Sequence, residues 1–557
     1  MKTRSRFTIT LVLGFGLLQT ACSLLHEDYA DSYRQPPKDL HEIMAVRLTE
    51  QSRTAPVTVE QATARKLEEA IATTQPAEEL ELSLGDVRAA ALSNNLDLKI
   101  EYVNPAIDQE SVNEEEAAFE ALLFGSVTRR VTDQPSYVVD GAASQSQSTD
   151  YDLGVEVPLR TGGTVTVDMP YRRYDDRTVA TGSEGNNSTV IDPSYAMGLQ
   201  FSISQPLLRG AGVRTNTHSI RVAKYQKEVT DARTKLAAIR VLADADRAYW
   251  LLYAARRELL VRQEQYELAL QQLSDARKRV EAGDSPEIEI MRAESGVAGR
   301  LEAIIVADTY VRRRERELKR IMNRTDLPMN APTALMLDTD PNPLGLKLDV
   351  EGLIESALAG RMELLELELR LAIDSSTIDY ERNKALPWIA LDYTYRMNGV
   401  SDDADRVFHN AIDNDYVDHT LALRAEVPLG NEAAKARVRR AMLQRVQRLA
   451  TREQRRQLIM QEVYDAVDGL EQDWQRILAA RQEVILSGRT YEAEKRQFEL
   501  GLRTSTDVLE AAARLANAQS REIQALAAYE ISLIDIAYAT GNVIGRSDVI
   551  WEPTALD

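Results

Sequence analysis

The 557-residue chain has one cysteine, Cys22, and five histidines, His26, His41, His218, His409 and His419. A single thiol excludes an intrachain disulfide and a cysteine-based metal site, and histidines so dispersed show no metal-ligand spacing. A Gly-rich phosphate loop and a nucleophile elbow are both missing, so no enzyme chemistry and no cofactor are expected. Aromatic residues make up only 6%. Positive charge is in deficit: 67 Lys and Arg stand against 87 Asp and Glu, a net charge of −20. That balance argues against nucleic acid or an anionic membrane surface as partner. Beyond the N-terminus no apolar run reaches about 20 residues, so no transmembrane helix is expected in the mature protein. Glycine and proline are absent from residues 214–282, and residues 431–500 contain only Gly469 and Gly488. Helices unbroken over such stretches would each be about 100 Å long.

What is present begins with a targeting segment. Lys2, Arg4 and Arg6 precede a short apolar core, residues 7–18, which closes on LLQTAC and Cys22. The core is too short to span a bilayer and has the layout of a signal peptide, residues 1–21. Its end resembles a bacterial lipoprotein signal, which implies lipidation at Cys22. Gln19 stands where that signal prefers an aliphatic residue, and the alternative is ordinary cleavage nearby with Cys22 as an incidental thiol. Ser23 follows, not aspartate, which favours the outer membrane. Residues 22–80 are polar and carry Pro36, Pro37, Pro56 and Pro76. They read as an N-terminal extension with some helix around residues 59–74.

The remainder is written twice. AALSNNLDL (90–98) matches SALAGRMEL (356–364) at an offset of 266, Pro206 matches Pro428 at 222, and Gly283 matches Gly501 at 218. One copy covers 82–330 and the other 347–545, joined by a proline-rich linker at 331–346. The first copy carries 44 more residues between its first two anchors than the second. Each copy reads as helix, strands, very long helix, sharp reversal, shorter helix. The long helices have heptad-like seams: Leu242, Ala245, Tyr249 and Leu252 in one, Val463, Val467, Leu470, Trp474 and Ile477 in the other.

The strands alternate strictly. In PWIALDYTYRM (387–397), Ile389, Leu391, Tyr393, Tyr395 and Met397 share one face; in TLALRAEVPL (420–429), Leu421, Leu423, Ala425, Val427 and Leu429 do. Tyr195, Met197, Leu199, Phe201 and Ile203 repeat the pattern, and Leu123, Val127 and Val131 do so more weakly. Period two over about ten residues suits a tilted strand of a membrane barrel, with lipid on one face and a wet lumen on the other. Strands are thus expected at about 122–206 and 387–429. The surplus of the first copy holds YDLGVEVPLRTGGTVTVDMPYRR (151–173), which reads as a hairpin. It is either embedded, giving six strands per chain, or an extracellular flap, giving four. Neither number closes a barrel, and an open edge in lipid leaves backbone groups unpaired at several kcal/mol each. Copies of the chain must therefore pool their strands.

SISQPLLRGAG (202–212), ALSNNLDLK (91–99) and above all FELGLRTSTDVLEAAARLANAQ (498–519) resemble the TolC-like outer-membrane efflux protein family, and the similarity extends over roughly residues 82–545. The resemblance implies a mainly α protein with membrane β: a homotrimer with a long periplasmic α-helical barrel and a transmembrane β-barrel. It implies a passive exit duct of a tripartite efflux or type I secretion system, set in outer-membrane lipid. A periplasmic adaptor protein and an inner-membrane pump of the RND or ABC type would be its partners. It places the two reversals, Gly283, Asp284, Ser285 and Pro286 in one and Gly501, Leu502 and Thr504 in the other, at a periplasmic tip where the adaptor docks. Asp507 and Glu510 fall where the family lines its aperture with acids; the alternative is that they complement the dipole of a helix first turn. Arg503 is expected at the gate, pairing with Glu289 of the other reversal. Phe498 occupies a position where a tyrosine hydroxyl could join that network and supplies none. The competing functions are a periplasmic adaptor, which would need one hairpin between compact β domains, and a coiled-coil scaffold, which would have no amphipathic strands.

Overall fold

A computed structural model describes Val59 and residues 78–134, 144–181, 187–283, 285–413, 415–500 and 502–546. The chain divides into two units, Met1–Gln75 and Pro76–Asp557. Of the described residues, all but Val59 belong to the second unit. The signal peptide, Cys22, the helix expected at 59–74 (Val59 apart), Asp284, Gly501 and the tail from 547 lie outside the described residues.

The first half runs β1 (Glu79–Leu82), α1 (Leu84–Asn94), α2 (Leu96–Ala117), β2 (Leu122–Gln134), β3 (Ser144–Pro158), β4 (Thr164–Thr181), β5 (Asn187–Pro206), α3 (Val213–Asn216), α4 (His218–Glu281) and α5 (Ile288–Met322). The second runs β6 (Ala334–Leu337), α6 (Val350–Gly360), α7 (Met362–Lys384), β7 (Trp388–Ser401), α8 (Ala404–Ile412), β8 (Val417–Glu426), α9 (Glu432–Glu499), α10 (Ser505–Ala539) and α11 (Val543–Arg546). Both halves therefore follow the order of two short helices, strands, long helix, shorter helix.

Local chemistry explains the breaks. Ser83 and Asp86 form a reciprocal capping box that starts α1. The chain then bends at Asn95, whose side chain accepts from Leu98 N and donates to Ile321 O at 3.0 Å, capping the end of α5. Arg361 makes the equivalent bend between α6 and α7, and its guanidinium reaches Ala539 O at 3.1 Å, at the end of α10. The two residues stand at the same offset of 266 as the repeated segments around them. Each side chain is buried, so each short-helix bend is locked to the far end of its own hairpin.

Helices form one layer. Near the strands the neighbours run α2, α4, α7, α9; farther away they run α5, α4, α10, α9. The main core surrounds Tyr249, Trp250, Leu252, Leu318 and Met322. Ala511, Ala512, Ala516, Ala518 and Ala525 on α10 are buried and small, which lets its neighbours approach closely. The linker expected at 331–346 is not structureless: β6 lies within it and pairs in parallel with β1, Leu80 opposite Leu335. Main-chain pairing with a distant segment leaves no periodic signal in four residues.

The other six strands make one antiparallel sheet in the order β2-β3-β4-β5-β7-β8. Register carries one row across it, Leu123–Val155–Val167–Phe201–Tyr395, apolar until it ends on His419, and the next rows add Leu153, Met169, Ile203, Tyr393 and Leu421. Leu123, Val127, Leu153, Leu421 and Leu423 are all exposed on this face. The opposite face is polar: Asp150 pairs with Arg172, Gln200 with Arg396, and Asp392 with Arg424 and Ser204. Residues 151–173 fall within this sheet, because β3 and β4 are hydrogen-bonded between β2 and β5. β8 ends at Glu426, so Val427 and Leu429, read as strand, lie beyond it. The helix α8 was not foreseen; its Val407 and Ala411 pack over Gly399, where a Cβ would come within 2.5 Å of the helix backbone.

Candidate functional site: the helix-reversal tip

The layer ends, opposite the sheet, in the two reversals. In the first, α4 stops at Glu281 and Gly283 takes φ +79° with open space around it, the left-handed conformation that favours glycine. Ser285 and Pro286 follow, and Glu289 N donates to Pro286 O, starting α5. In the second, Leu502 N donates to Gln497 O at 2.9 Å to close α9, and α10 starts at a second capping box. Thr504 is the N-cap: its backbone N–H and hydroxyl both donate to Asp507 Oδ2 at 2.9 Å. These hydrogen bonds, with nearby Arg503, hold the Asp507 carboxyl below its ordinary range.

The structure brings some of the expected residues together and separates others. Glu289 and the second reversal do meet, but through Ser505, whose hydroxyl donates to Glu289 Oε2 at 2.7 Å; Arg292 holds the other carboxylate oxygen. Arg503 does not pair with Glu289 within the chain. It folds back on the end of the preceding helix, α9, Nε lying 3.1 Å from Gln497 Oε1 and 3.2 Å from Glu494 Oε2. A carboxylate two turns away on the same helix end is nearer than one on the other hairpin. Glu510 is exposed and beside Arg514, one turn along α10. Asp507 and Glu510 lie one turn apart on the same helix face, Asp507 engaged as a capping acid and Glu510 exposed in an ion pair with Arg514.

Two features were missed. The Arg279 guanidinium sits 4.0 Å above the Phe498 ring, joining the ends of α4 and α9 without a hydroxyl. Both residues border a cavity of about 300 Å³ shared with Gln265, Lys278, Arg300 and Tyr491. The sequence signal was an arginine in the last turn of one long helix and an aromatic in that of the other. The second feature is an apolar rim: Leu500, Leu502, Ile288 and Met291 are exposed at the tip. Among the described residues no cluster of His, Cys, Asp and Glu could hold a metal ion, and no helix is long and apolar enough to cross a membrane.

Comparison with known proteins agrees with this architecture. Residues 353–542 match the family model described as outer membrane efflux protein. No curated protein matches the sequence. Among solved structures, the Campylobacter jejuni CmeC outer membrane channel is similar at 16% identity and a TM-score of 0.58, covering 82% of this chain and 85% of that one. VceC of Vibrio cholerae is similar at 12% and 0.57, covering 82% and 96%. The open state of Neisseria gonorrhoeae MtrE is similar at 16% and 0.53, covering 83% and 89%. At such identities the likeness is one of fold, and the sequence match to the outer membrane efflux protein family lies in the second half of the chain, at residues 353–542.

Proposed function

We propose that the protein is a homotrimeric outer-membrane channel, the passive exit duct of a tripartite efflux or type I secretion system. A periplasmic adaptor would dock on the tip and join it to an inner-membrane pump of the RND or ABC type. The observation that carries this reading is that the sheet and the helix layer are open at the same two sides. β2 and β8 are the sheet edges. α2, which leads into β2, and α9, which leaves β8, are the edges of the upper helix layer. β2 rises where β8 descends, so β8 of one copy can pair antiparallel with β2 of the next while α9 packs on α2.

The helix edges are complementary level by level. Ile107 lies fifteen residues before β2 and Leu443 seventeen after β8; Val103 and Val446 lie nineteen and twenty. All four are exposed in one chain. Glu110, twelve residues before β2, faces the level of Arg439 and Arg440, thirteen and fourteen after β8. An apolar seam keyed by opposite charge fits a second copy of this chain. Closure satisfies the sheet edges that lipid would leave unpaired. Cys22, if lipidated, adds an anchor to the same membrane. The tip supplies the gate: Glu289, Ser505, Arg503, Asp507 and Glu510 around the aperture, and Gly283, Asp284, Ser285, Pro286, Gly501, Leu502 and Thr504 in the turns that meet the adaptor. An adaptor or scaffold gives no role to a six-stranded sheet with an exposed apolar face. Purified protein reconstituted in planar bilayers should conduct in discrete steps; inserted protein with no conductance, even with the Glu289–Ser505 contact removed, would overturn the channel reading.

A further inference from the structure

The sheet contains more strands than closure alone demands, and the hairpin β3–β4 is the excess. It is built into the wall at both ends. Along its length β3 pairs with β2 from Leu122 to Gln134, and β4 pairs with β5. At its periplasmic turn Gly212 N donates to Thr161 O at 2.9 Å, and the Gln205 side chain both accepts from the Thr161 hydroxyl at 2.8 Å and donates to its carbonyl. Gly162, at φ +92°, lies so close to Gly210 that a Cβ would come within 2.1 Å of its carbonyl oxygen. A flap would need none of this.

Width gives the hairpin a purpose. Strands about 4.8 Å apart and tilted by roughly 40° occupy about 6 Å of circumference each, so six span about 38 Å and four about 25 Å. The helix layer is four helices wide throughout, and at about 9 Å between axes it spans about 36 Å. Six strands match the helix layer; four would leave the sheet a third narrower than the conduit feeding it.

Resting on the trimeric channel reading, we infer that the membrane barrel has eighteen strands and a bore equal to that of the helical conduit. Three such sheets close at about 36 Å between opposite backbones, against about 24 Å for twelve strands, and barrels of this strand number keep an aqueous channel. The hairpin also lines it, through Asp150, Asp168 and Arg172 on the polar face. The extracellular exit is then no constriction. The tip aperture alone sets the width of cargo, and the duct accepts bulky hydrophilic cargo, including polymers, once that aperture opens.

Electron cryo-microscopy of the full-length protein in lipid nanodiscs counts the strands. Eighteen, with β3–β4 between β2 and β5, is expected. A trimer with twelve and the hairpin outside the wall overturns the inference and leaves the channel reading intact; a water-soluble monomer overturns the channel reading itself. A second measurement is independent of imaging. Val127 and Tyr151 are opposite one another in β2 and β3, so the Val127→Cys, Tyr151→Cys double variant should form an intrachain disulfide in outer membranes, mapped by peptide mass. Its absence in a correctly inserted trimer contradicts an embedded hairpin. Neutral polymers about 20 Å across should also enter from the extracellular side and lower the conductance, which a barrel of about 24 Å between backbones would prevent once side chains are added.

Discussion

The Ser505 hydroxyl donates to Glu289 Oε2 at 2.7 Å, and this hydrogen bond ties the first turn of α10 to the first turn of α5 across the two reversals. Ser505 is buried there. If the aperture opens by separating the hairpins, this contact must break. A hydrogen bond to a charged group contributes about 1.5 kcal/mol, so Ser505→Ala should raise the frequency of opening in planar bilayers roughly tenfold. Arg503→Ser, which removes a side chain whose partners Glu494 and Gln497 lie on the preceding helix α9, should raise it less. Equal effects would place Arg503 in the link between hairpins after all.

Arg279 over Phe498 ties the same hairpins one turn higher. A cation–π contact of about 1 kcal/mol corresponds to roughly fivefold faster local opening when it is lost. Phe498→Leu should accelerate amide exchange at residues 276–283 by about that factor, while Phe498→Tyr should preserve wild-type rates. Unchanged exchange in the leucine variant would show that the ring contributes packing alone.

The Asp507 carboxyl is held below its ordinary range, first by the Thr504 hydrogen bonds and then by Arg503. Its folded-state value is depressed, so the capping box contributes stability that is fully present above the unfolded carboxylate range and is lost as pH falls through the folded value. The protection factor at the start of α10, exchange taken relative to the intrinsic rate at each pH, should therefore fall on acidification below about pH 4, and Asp507→Ala should remove that dependence. Thr504→Ala, which deletes the N-cap, should destabilise this turn by about 1 kcal/mol at neutral pH. A pH profile identical in wild type and Asp507→Ala would contradict the assignment.

The edge helices predict a rescue. Glu110→Arg should weaken the trimer by setting a cation at the level of Arg439 and Arg440, and Glu110→Arg with Arg439→Glu and Arg440→Glu should restore it, read as the temperature at which the trimer dissociates in detergent. Ile107→Asp should weaken it without rescue by any charge. A charge-swapped variant as weak as the single would mean these levels do not meet.

Much of this could be read before the fold was seen, wherever physics writes a period. Alternating Leu391, Tyr393, Tyr395 and Met397 announced a strand with one apolar side, and the runs almost free of Gly and Pro announced α4 and α9. The repeat offset placed Asn95 and Arg361 at equivalent positions, though their role as caps for remote helix ends was invisible, because a buried side chain meeting a carbonyl over 170 residues away leaves no local trace. The same reason hid the β1–β6 pairing and turned Arg503 from Glu289 to Glu494. Whether residues 151–173 were wall or flap depended on Thr161 and Gly162 meeting Gln205 at the end of β5 and Gly210 and Gly212 just after it, a tertiary fit that alternation cannot express. The helix α8 went unread because nine residues rich in Asp and Asn resemble a loop until Val407 and Ala411 find Gly399.

Function as a duct requires that the two open sides of this chain, β2 with α2 and β8 with α9, be closed by its own copies. Native mass spectrometry of the protein released from detergent micelles reads this without an intermediate step. A complex of three chains that dissolves only with detergent is expected; a monomer stable in water without detergent would contradict it.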